Sequence, residues 1–256
     1  MKGLILLDVF SYSCMNCLRS LEFIKRIDKK YRKFGLKTII IHPSEWNFEK
    51  KRKNVSFASK KYSVKFPIRL DKNYKIIKKL GINFWPAQLL MKDGKIAYKH
   101  IGEGNSKNLE KNIAKLLKIR SKNAFTKEPK YSKFPAVYCG KRKHGKMIRL
   151  NDSKAKMRFG KIYVNDRWLQ KNEFLQSLGN NAELSIITKG RVTNFVAESM
   201  RKKPVKIRIQ QGSKKIKFIA ITMPRLYKLV NSKKNKNNKL TIIADKNLAI
   251  YSFSFQ

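Results

Sequence analysis

A short apolar segment, a pair of cysteines and an amphipathic pattern follow one another near the start of the chain, and this order restricts the fold more than any other feature. The segment LILLDVF at residues 4–10 has the length of a buried strand. Cys14 and Cys17 come just after it. From Leu18 onward, apolar residues recur at helical spacing. The sequence therefore predicts a strand, a turn that carries both cysteines, and a helix.

The spacing of the two cysteines favours thiol–disulfide exchange. Unpaired backbone N–H groups at a helix N-terminus stabilise an anion, so we expect a stabilised thiolate at Cys14. A thiolate attacks a disulfide sulfur and forms a mixed disulfide. Cys17 follows one helical turn later and is placed to attack Cys14 in turn. The pattern predicts Cys14 as the nucleophile and Cys17 as the resolving thiol.

Two other interpretations of the cysteine pair are weighed against this one. A zinc half-site needs a second pair of ligands, but the third cysteine, Cys139, is far along the chain and the three histidines are scattered. The second interpretation is two unrelated buried cysteines, which the strand–turn–helix context disfavours. We therefore expect no metal site.

Asp8 is a candidate for the same site because it interrupts an otherwise apolar strand. A buried carboxylate close to Cys17 would have a raised pKa and could accept the proton of the resolving thiol. A strand-end aspartate that hydrogen-bonds the backbone is an equally weighted alternative. Glu45, just after the second predicted strand, is a weaker candidate.

Pro86 is the remaining candidate site residue. It follows Trp85 and precedes a predicted strand at residues 88–91. A cis bond at this proline would place backbone opposite the cysteines, where a substrate chain could add. An ordinary proline at the entry of a strand is the alternative.

Residues 1–120 predict an α/β domain with a central mixed sheet and flanking helices. Strand patterns and helix patterns alternate first, and a hairpin and a helix close the domain. The predicted strands after the first are 36–42, 66–71, 88–91 and 96–101, and the predicted later helices lie within 46–61, 73–80 and 106–119.

The pattern of apolar residues changes after a polar segment at residues 121–135. This segment contains two prolines and is the predicted linker. Residues 136–256 predict an all-β sandwich, because short apolar runs recur between turn residues. These runs are 161–164, 183–188, 191–197, 205–209, 216–221, 240–244 and 248–255.

The charge of the chain points to anionic surroundings in general and to no specific partner. The chain has 61 Lys and Arg against 16 Asp and Glu, a net charge of +45, and 47 of the basic residues are lysines. Specific phosphate recognition usually recruits arginine, so we predict no specific nucleic acid. A lysine-rich solvated surface and attraction to an anionic surface are both consistent with this composition.

No segment of the sequence has the features of a membrane span or a secretory signal. A spanning helix needs about 20 mostly apolar residues, and none is present. Asp8 interrupts the first apolar run before it reaches the length of a signal core. As written, the sequence favours the cytoplasm.

Four segments resemble the thioredoxin-like proteins of the TlpA/redoxin family, in particular its DipZ type: 13–19, 42–49, 85–87 and 100–104. The resemblance implies a thioredoxin-like fold with Pro86 at its cis-proline position. It also implies a Cys14–Cys17 disulfide as the redox group, with no metal or organic cofactor. The implied partners are a protein dithiol or disulfide substrate and an unknown electron donor such as a membrane thiol-reducing protein. Members of this family act outside the cytoplasmic membrane.

The second half of the chain also resembles that family, whose β-sandwich is similar to carbohydrate-binding modules. The segments that carry this resemblance are 224–230 and 249–255. Two further hypotheses remain beside a thiol–disulfide oxidoreductase. One is a binding module whose sandwich recognises a glycan or a protein partner, with Tyr163, Trp168 and Tyr227 as stacking or core residues. The other is a basic protein that binds anionic surfaces or nucleic acid.

Overall fold

The computed structural model describes residues 3–120, 133–150, 156–211, 217–232 and 237–256. The chain divides into two compact units, Met1–Tyr131 and Ser132–Gln256. Most of the predicted linker at 121–135 lies outside the described residues. The predicted domain limits at 120 and 136 therefore stay a prediction.

A five-stranded mixed sheet forms the centre of the first unit, in the order β3-β2-β1-β4-β5. Strands β1, β2 and β3 are parallel, and β4 and β5 are antiparallel to their neighbours. The predicted mixed α/β layout is confirmed. The strands are β1 (Leu4–Val9), β2 (Leu36–Pro43), β3 (Ile68–Asp71), β4 (Ala87–Lys92) and β5 (Lys95–Ile101).

Strand β1 occupies the middle of this sheet, and all six of its residues are buried. It pairs with β2 on one side and with β4 on the other. An apolar strand buried on both faces is typical of a parallel sheet that helices cover. The C-terminal end of β1 and the start of β4 lie side by side, at the same ends of their strands, since Val9 pairs with Ala87.

The helices of the first unit are α1 (Met15–Tyr31), α2 (Arg52–Lys61), α3 (Lys75–Lys79) and α4 (Ser106–Leu116). Helix α1 buries Leu21, Ile24 and Ile27, which recur every three residues along one face. The polar stretch 46–61, predicted as a single helix, instead forms a short 3-10 helix at Asn47–Lys50 followed by α2. Trp46, Phe48 and Glu49 are buried there, and a continuous surface helix would not bring all three inside.

Two six-stranded sheets make up the described part of the second unit. One has the order β15-β12-β17-β10-β9 with β6 beside β17, and the other has the order β14-β13-β16-β11-β8-β7. The strands are β6 (Val137–Tyr138), β7 (Met147–Arg149), β8 (Ile162–Val164), β9 (Trp168–Gln170), β10 (Leu175–Ser177), β11 (Ala182–Thr188), β12 (Val192–Ser199), β13 (Val205–Gln211), β14 (Lys217–Ile221), β15 (Arg225–Asn231), β16 (Asn238–Ala244) and β17 (Leu248–Phe255).

Side chains from both sheets form one apolar core, as expected for a sandwich. Phe195 and Phe253 from the first sheet pack in the same cluster as Leu184 and Ile242 from the second. The predicted all-β region is confirmed. Short strands such as β6, β7, β9 and β10, of two or three residues each, have no counterpart in the sequence-based prediction.

The three aromatic residues singled out in the second half are all buried. Trp168 has no exposed surface, and Tyr163 and Tyr227 are each 3% exposed. Trp168 and Tyr227 belong to the apolar cluster of the sandwich, and Tyr163 is buried outside that cluster, so none of the three is displayed for a sugar ring. Among the described residues, we find no α-helix that is long and apolar enough to cross a bilayer.

Candidate active site

Cys14 occupies the N-cap position of α1 and is half-buried. Its Sγ accepts a hydrogen bond from the backbone N–H of Cys17 at 3.3 Å. This is the geometry in which a helix N-terminus stabilises a thiolate. Cys17 lies behind it with no exposed surface, and both cysteines are free thiols in this structure. The pair thus presents one accessible sulfur and one hidden sulfur.

The Cys17 thiol is held in its protonated form by its surroundings. Burial raises the pKa of Cys17 well above its ordinary value, and the neighbouring Cys14 raises it further. The backbone N–H of Ser11 opposes this effect, and the negative charge of Asp8 adds to it. Cys17 therefore needs a proton acceptor before it can attack another sulfur.

Asp8 is buried on β1, with 1% of its surface exposed. Burial raises the pKa of its carboxyl to about 7, while a hydrogen bond from Gln88 lowers it. The structure thus places a carboxyl group that titrates near neutral pH close enough to Cys17 to influence the thiol. Its hydrogen-bond partner is the side chain of Gln88, at 3.1 Å, rather than the backbone contact of the alternative hypothesis.

Pro86 is buried immediately before β4, and the Trp85–Pro86 peptide bond is cis. Its carbonyl accepts a hydrogen bond from the N–H of Gly102 at 2.8 Å. Because Ala87 pairs with Val9 at the end of β1, Pro86 lies at the sheet edge from which the chain continues to the cysteines.

Glu49 is a site residue that sequence analysis missed. It is fully buried, and its Oε1 accepts hydrogen bonds from the hydroxyls of Ser11 and Ser13, each at 2.8 Å. The same oxygen accepts the backbone N–H of Ser13 at 3.3 Å, and Oε2 accepts the N–H of Glu45 at 2.7 Å. The carboxyl group therefore holds the loop that leads from β1 to Cys14.

The network continues from Glu45 to the other side of the site. The indole Nε1 of Trp85 donates to Oε2 of Glu45 at 3.2 Å. The ring of Trp85 also stacks on Tyr74, with centroids 6.3 Å apart. Glu45, a weak candidate from sequence, thus connects the segment before Pro86 with the loop before Cys14.

His42, at the end of β2, supports the same loop. Its Nε2 accepts a hydrogen bond from the backbone N–H of Tyr12 at 3.2 Å. Burial lowers the pKa of His42 to about 4, so the ring is neutral near physiological pH. A neutral ring is what this contact requires, because the imidazolium form has no acceptor nitrogen.

Arg19 forms a second link, on the outer side of the cysteine pair. Its guanidinium makes a two-pronged salt bridge to Glu103, at 2.8 and 2.7 Å, and also donates to the side chain of Asn16 at 2.7 Å. Both partners of the salt bridge are largely buried, with side chains 9% and 10% exposed. The first turn of α1 is thereby connected to the loop after β5.

The described residues contain no group of three histidine, cysteine or acidic side chains that could hold a metal ion. Cys139 belongs to the core of the second unit and has no exposed surface. Burial raises the pKa of its thiol well above the ordinary value. A thiol in such surroundings is unreactive.

Known families match both halves of the chain. The family model described as Redoxin matches residues 2–117, which include both cysteines and Pro86. The model described as Thioredoxin like C-terminal domain matches residues 141–255. Both matches support a thioredoxin-like family for this chain. Its two units thus correspond to two parts that are both known among thioredoxin-like proteins.

Curated relatives match less than half of this chain, and this chain spans only part of their length. Protein DipZ of Mycobacterium tuberculosis is 32% identical over 114 residues, which cover 44% of this chain and 16% of DipZ. Thiol-disulfide oxidoreductase ResA of Bacillus anthracis is 29% identical over 116 residues, which cover 45% of this chain and 64% of ResA. The chain therefore spans about a sixth of the DipZ relative and about two thirds of ResA.

A solved thioredoxin-like structure also aligns with part of the chain. The crystal structure of StoA from Bacillus subtilis has a TM-score of 0.39 and is 21% identical. The alignment covers 45% of this chain and 84% of StoA.

Proposed function

We propose that the first unit is a thiol–disulfide oxidoreductase in which Cys14 attacks a substrate disulfide and Cys17 resolves the product. The observation that carries this proposal is the unequal exposure of the two sulfurs. Cys14 is half-buried at the start of α1, and Cys17 is fully buried behind it. A substrate can reach the first sulfur, and only an intramolecular attack can use the second.

The first step is attack by the Cys14 thiolate on a disulfide RS–SR′. A bond forms between Sγ of Cys14 and one substrate sulfur, and the substrate S–S bond breaks. The second substrate sulfur leaves as a thiolate and takes up a proton from solvent. The N-terminal backbone of α1, which donates the Cys17 N–H to Sγ of Cys14, stabilises the attacking anion.

The second step closes the disulfide of the enzyme. Cys17 transfers its proton to Asp8 and attacks Sγ of Cys14, which displaces the remaining substrate thiolate. Two electrons have then passed from the cysteine pair to the substrate. The raised pKa of Asp8, about 7 because of burial, supports its role as this proton acceptor near neutral pH.

We assign the substrate groove to the segment around Pro86, which lies at the same sheet edge as the cysteine loop. The substrate class is a protein dithiol or disulfide. An unidentified donor, such as a membrane thiol-reducing protein, returns the two electrons. The cysteine pair serves as the redox group without a metal or organic cofactor, and the net charge of +45 attracts the chain to anionic surfaces at low salt.

A glycan-binding role for the sandwich has weaker support. Trp168, Tyr163 and Tyr227 are buried, so these rings are not available for stacking on a sugar. Among the described residues of the second unit, no other observation identifies a ligand.

Trapping of the mixed disulfide tests the proposed reaction. Cys17→Ser should accumulate a covalent adduct with a disulfide-containing protein substrate, since nothing resolves it, and Cys14→Ser should form none. Cys139→Ser is the matched control and should behave as the parent protein. The reduction potential of the pair, measured in glutathione buffers, then gives the direction of electron flow. Failure to form a reversible Cys14–Cys17 disulfide at any glutathione ratio would overturn the proposal.

A further inference from the structure

The hydrogen bonds that Glu49 accepts all come from segments next to the active site. Two hydroxyls and one backbone N–H from Ser11 and Ser13 converge on Oε1, and the N–H of Glu45 reaches Oε2. An ionised carboxylate only accepts hydrogen bonds, so all four donors can point at it, with the three on Oε1 sharing that oxygen. A protonated carboxyl gives up part of this capacity, so the ionised form fits the site best.

Ser11 connects this carboxylate to both cysteines. Its carbonyl accepts the backbone N–H of Cys14 at 3.2 Å. Its own N–H faces the sulfur of Cys17 and lowers the pKa of that thiol. A change in the hydrogen bond between Glu49 and Ser11 therefore alters the surroundings of both reacting sulfurs.

We propose that Glu49 is a positioning residue of the cysteine pair, whose ionised carboxylate holds the Ser11–Ser13 loop in the conformation that keeps Cys14 ready to attack. The proposal deepens the proposed function and rests on it for the exchange reaction. It differs from the role of Asp8, since Glu49 acts through the loop and takes no proton from a thiol.

Glu49 also makes this positioning depend on pH. Burial raises the pKa of its carboxyl to about 7, and the charge of Glu45 raises it further, while the bonds from Ser11, Ser13 and the Glu45 amide lower it. Glu45 is the charged group that faces it from the segment after β2. His42, which contacts the same loop, is neutral because burial lowers its pKa to about 4. As the pH rises through about 7, Glu49 ionises and the loop becomes fixed.

The test is the rate of Cys14 alkylation by iodoacetamide in the reduced protein, followed by mass spectrometry from about pH 5 to about pH 9. The parent protein should show a rise near pH 7 in addition to the rise that accompanies thiolate formation. This rise should be lost in Glu49→Gln, together with about a tenfold decrease in rate above pH 7, the scale of one lost hydrogen bond.

The control variants separate positioning from general electrostatics and from misfolding. Glu22→Gln removes an exposed acid from α1 and should leave the profile unchanged. Ser13→Ala removes one donor that lowers the pKa of Glu49, so the rise should move to higher pH. Glu49→Asp keeps the charge but shortens the reach to Ser11 and Ser13, so the rise should be reduced as it is in Glu49→Gln.

Two results would overturn the inference. One is a Glu49→Gln profile that superimposes on that of the parent while the variant keeps its far-ultraviolet circular dichroism. The other is a Ser13→Ala profile with the rise at its original pH. Alkylation requires no disulfide exchange, so the inference can stand when the oxidoreductase proposal fails, and can fail when that proposal stands.

Discussion

The side-chain amide of Gln88 donates a hydrogen bond to the carboxyl of Asp8 at 3.1 Å, from the position directly opposite on the neighbouring strand. Both side chains are buried. Burial raises the pKa of Asp8 to about 7, and the amide of Gln88 opposes this by favouring the ionised form. The register between β1 and β4 places Gln88 beside Asp8, and this contact lowers the pH at which Asp8 ionises.

Replacement of Gln88 by methionine should move the titration of Asp8 to higher pH. The variant keeps the volume of the side chain and removes the donor that stabilises the carboxylate. The measurement is the pH dependence of the rate at which Cys17 releases a substrate from its mixed disulfide with Cys14. Gln176→Met, on β10 of the second unit, is the control. An unchanged pH dependence in Gln88→Met would contradict this role of the hydrogen bond.

Asp8→Asn should flatten the pH dependence of stability. The folded pKa of Asp8 is about 7 because of burial, and its ordinary value is 3.8, so the folded state retains a proton that the unfolded state releases between these values. Stability should fall as pH rises through this window, by up to about 4 kcal/mol from this group. Urea denaturation at several pH values checks this. Parallel stability curves for parent and variant would show that Asp8 ionises at its ordinary pKa.

Arg19→Met should destabilise the first unit by about 3 kcal/mol, because it leaves the carboxylate of Glu103 largely buried without its partner. Glu103→Gln should also destabilise, because it leaves the guanidinium unpaired. The double variant should lose less than the sum of the two, which a double-mutant cycle by chemical denaturation measures. Additive losses would mean that the pair is uncoupled.

Gly140→Ala should lower the unfolding midpoint of the second unit. A Cβ at Gly140 would lie 2.2 Å from a backbone atom of Glu173, which must then shift, at a cost of about 3 kcal/mol. Gly179→Ala is the matched control, because its nearest contact would be a side-chain atom of Arg167 at 3.7 Å. Equal midpoints for the two variants, measured by calorimetry, would contradict the packing argument.

The sequence predicted the parts of the site that local patterns determine. The strand β1, the cysteine turn and helix α1 are contiguous, so apolar spacing and the position of Cys14 were sufficient to place them. The mixed sheet followed from the alternation of strand and helix patterns. Asp8 was singled out because a charged residue in a buried strand is uncommon.

The parts that the sequence did not predict depend on contacts between distant segments. Glu49 lies 36 and 38 residues from Ser13 and Ser11, in a lysine-rich stretch whose local pattern is that of an exposed helix. Two signals pointed to it: the resemblance of segment 42–49, which ends at Glu49, and its apolar neighbours Trp46 and Phe48, which are buried with it. The contact between Gln88 and Asp8 could be predicted only if the strand register were known.

Strand β17 lies inside its sheet, between β12 and β10, and it also pairs with β6. Each of these partners precedes it in the chain, so a ribosome delivers the middle of this sheet after its flanks. Until residues 248–255 emerge, β10 and β12 each lack their partner strand and expose unpaired backbone groups. The cysteine pair has no such delay, because its sheet is complete once β5 has been made. A nascent chain can thus carry a finished redox pair while its second half is still open to wrong pairings.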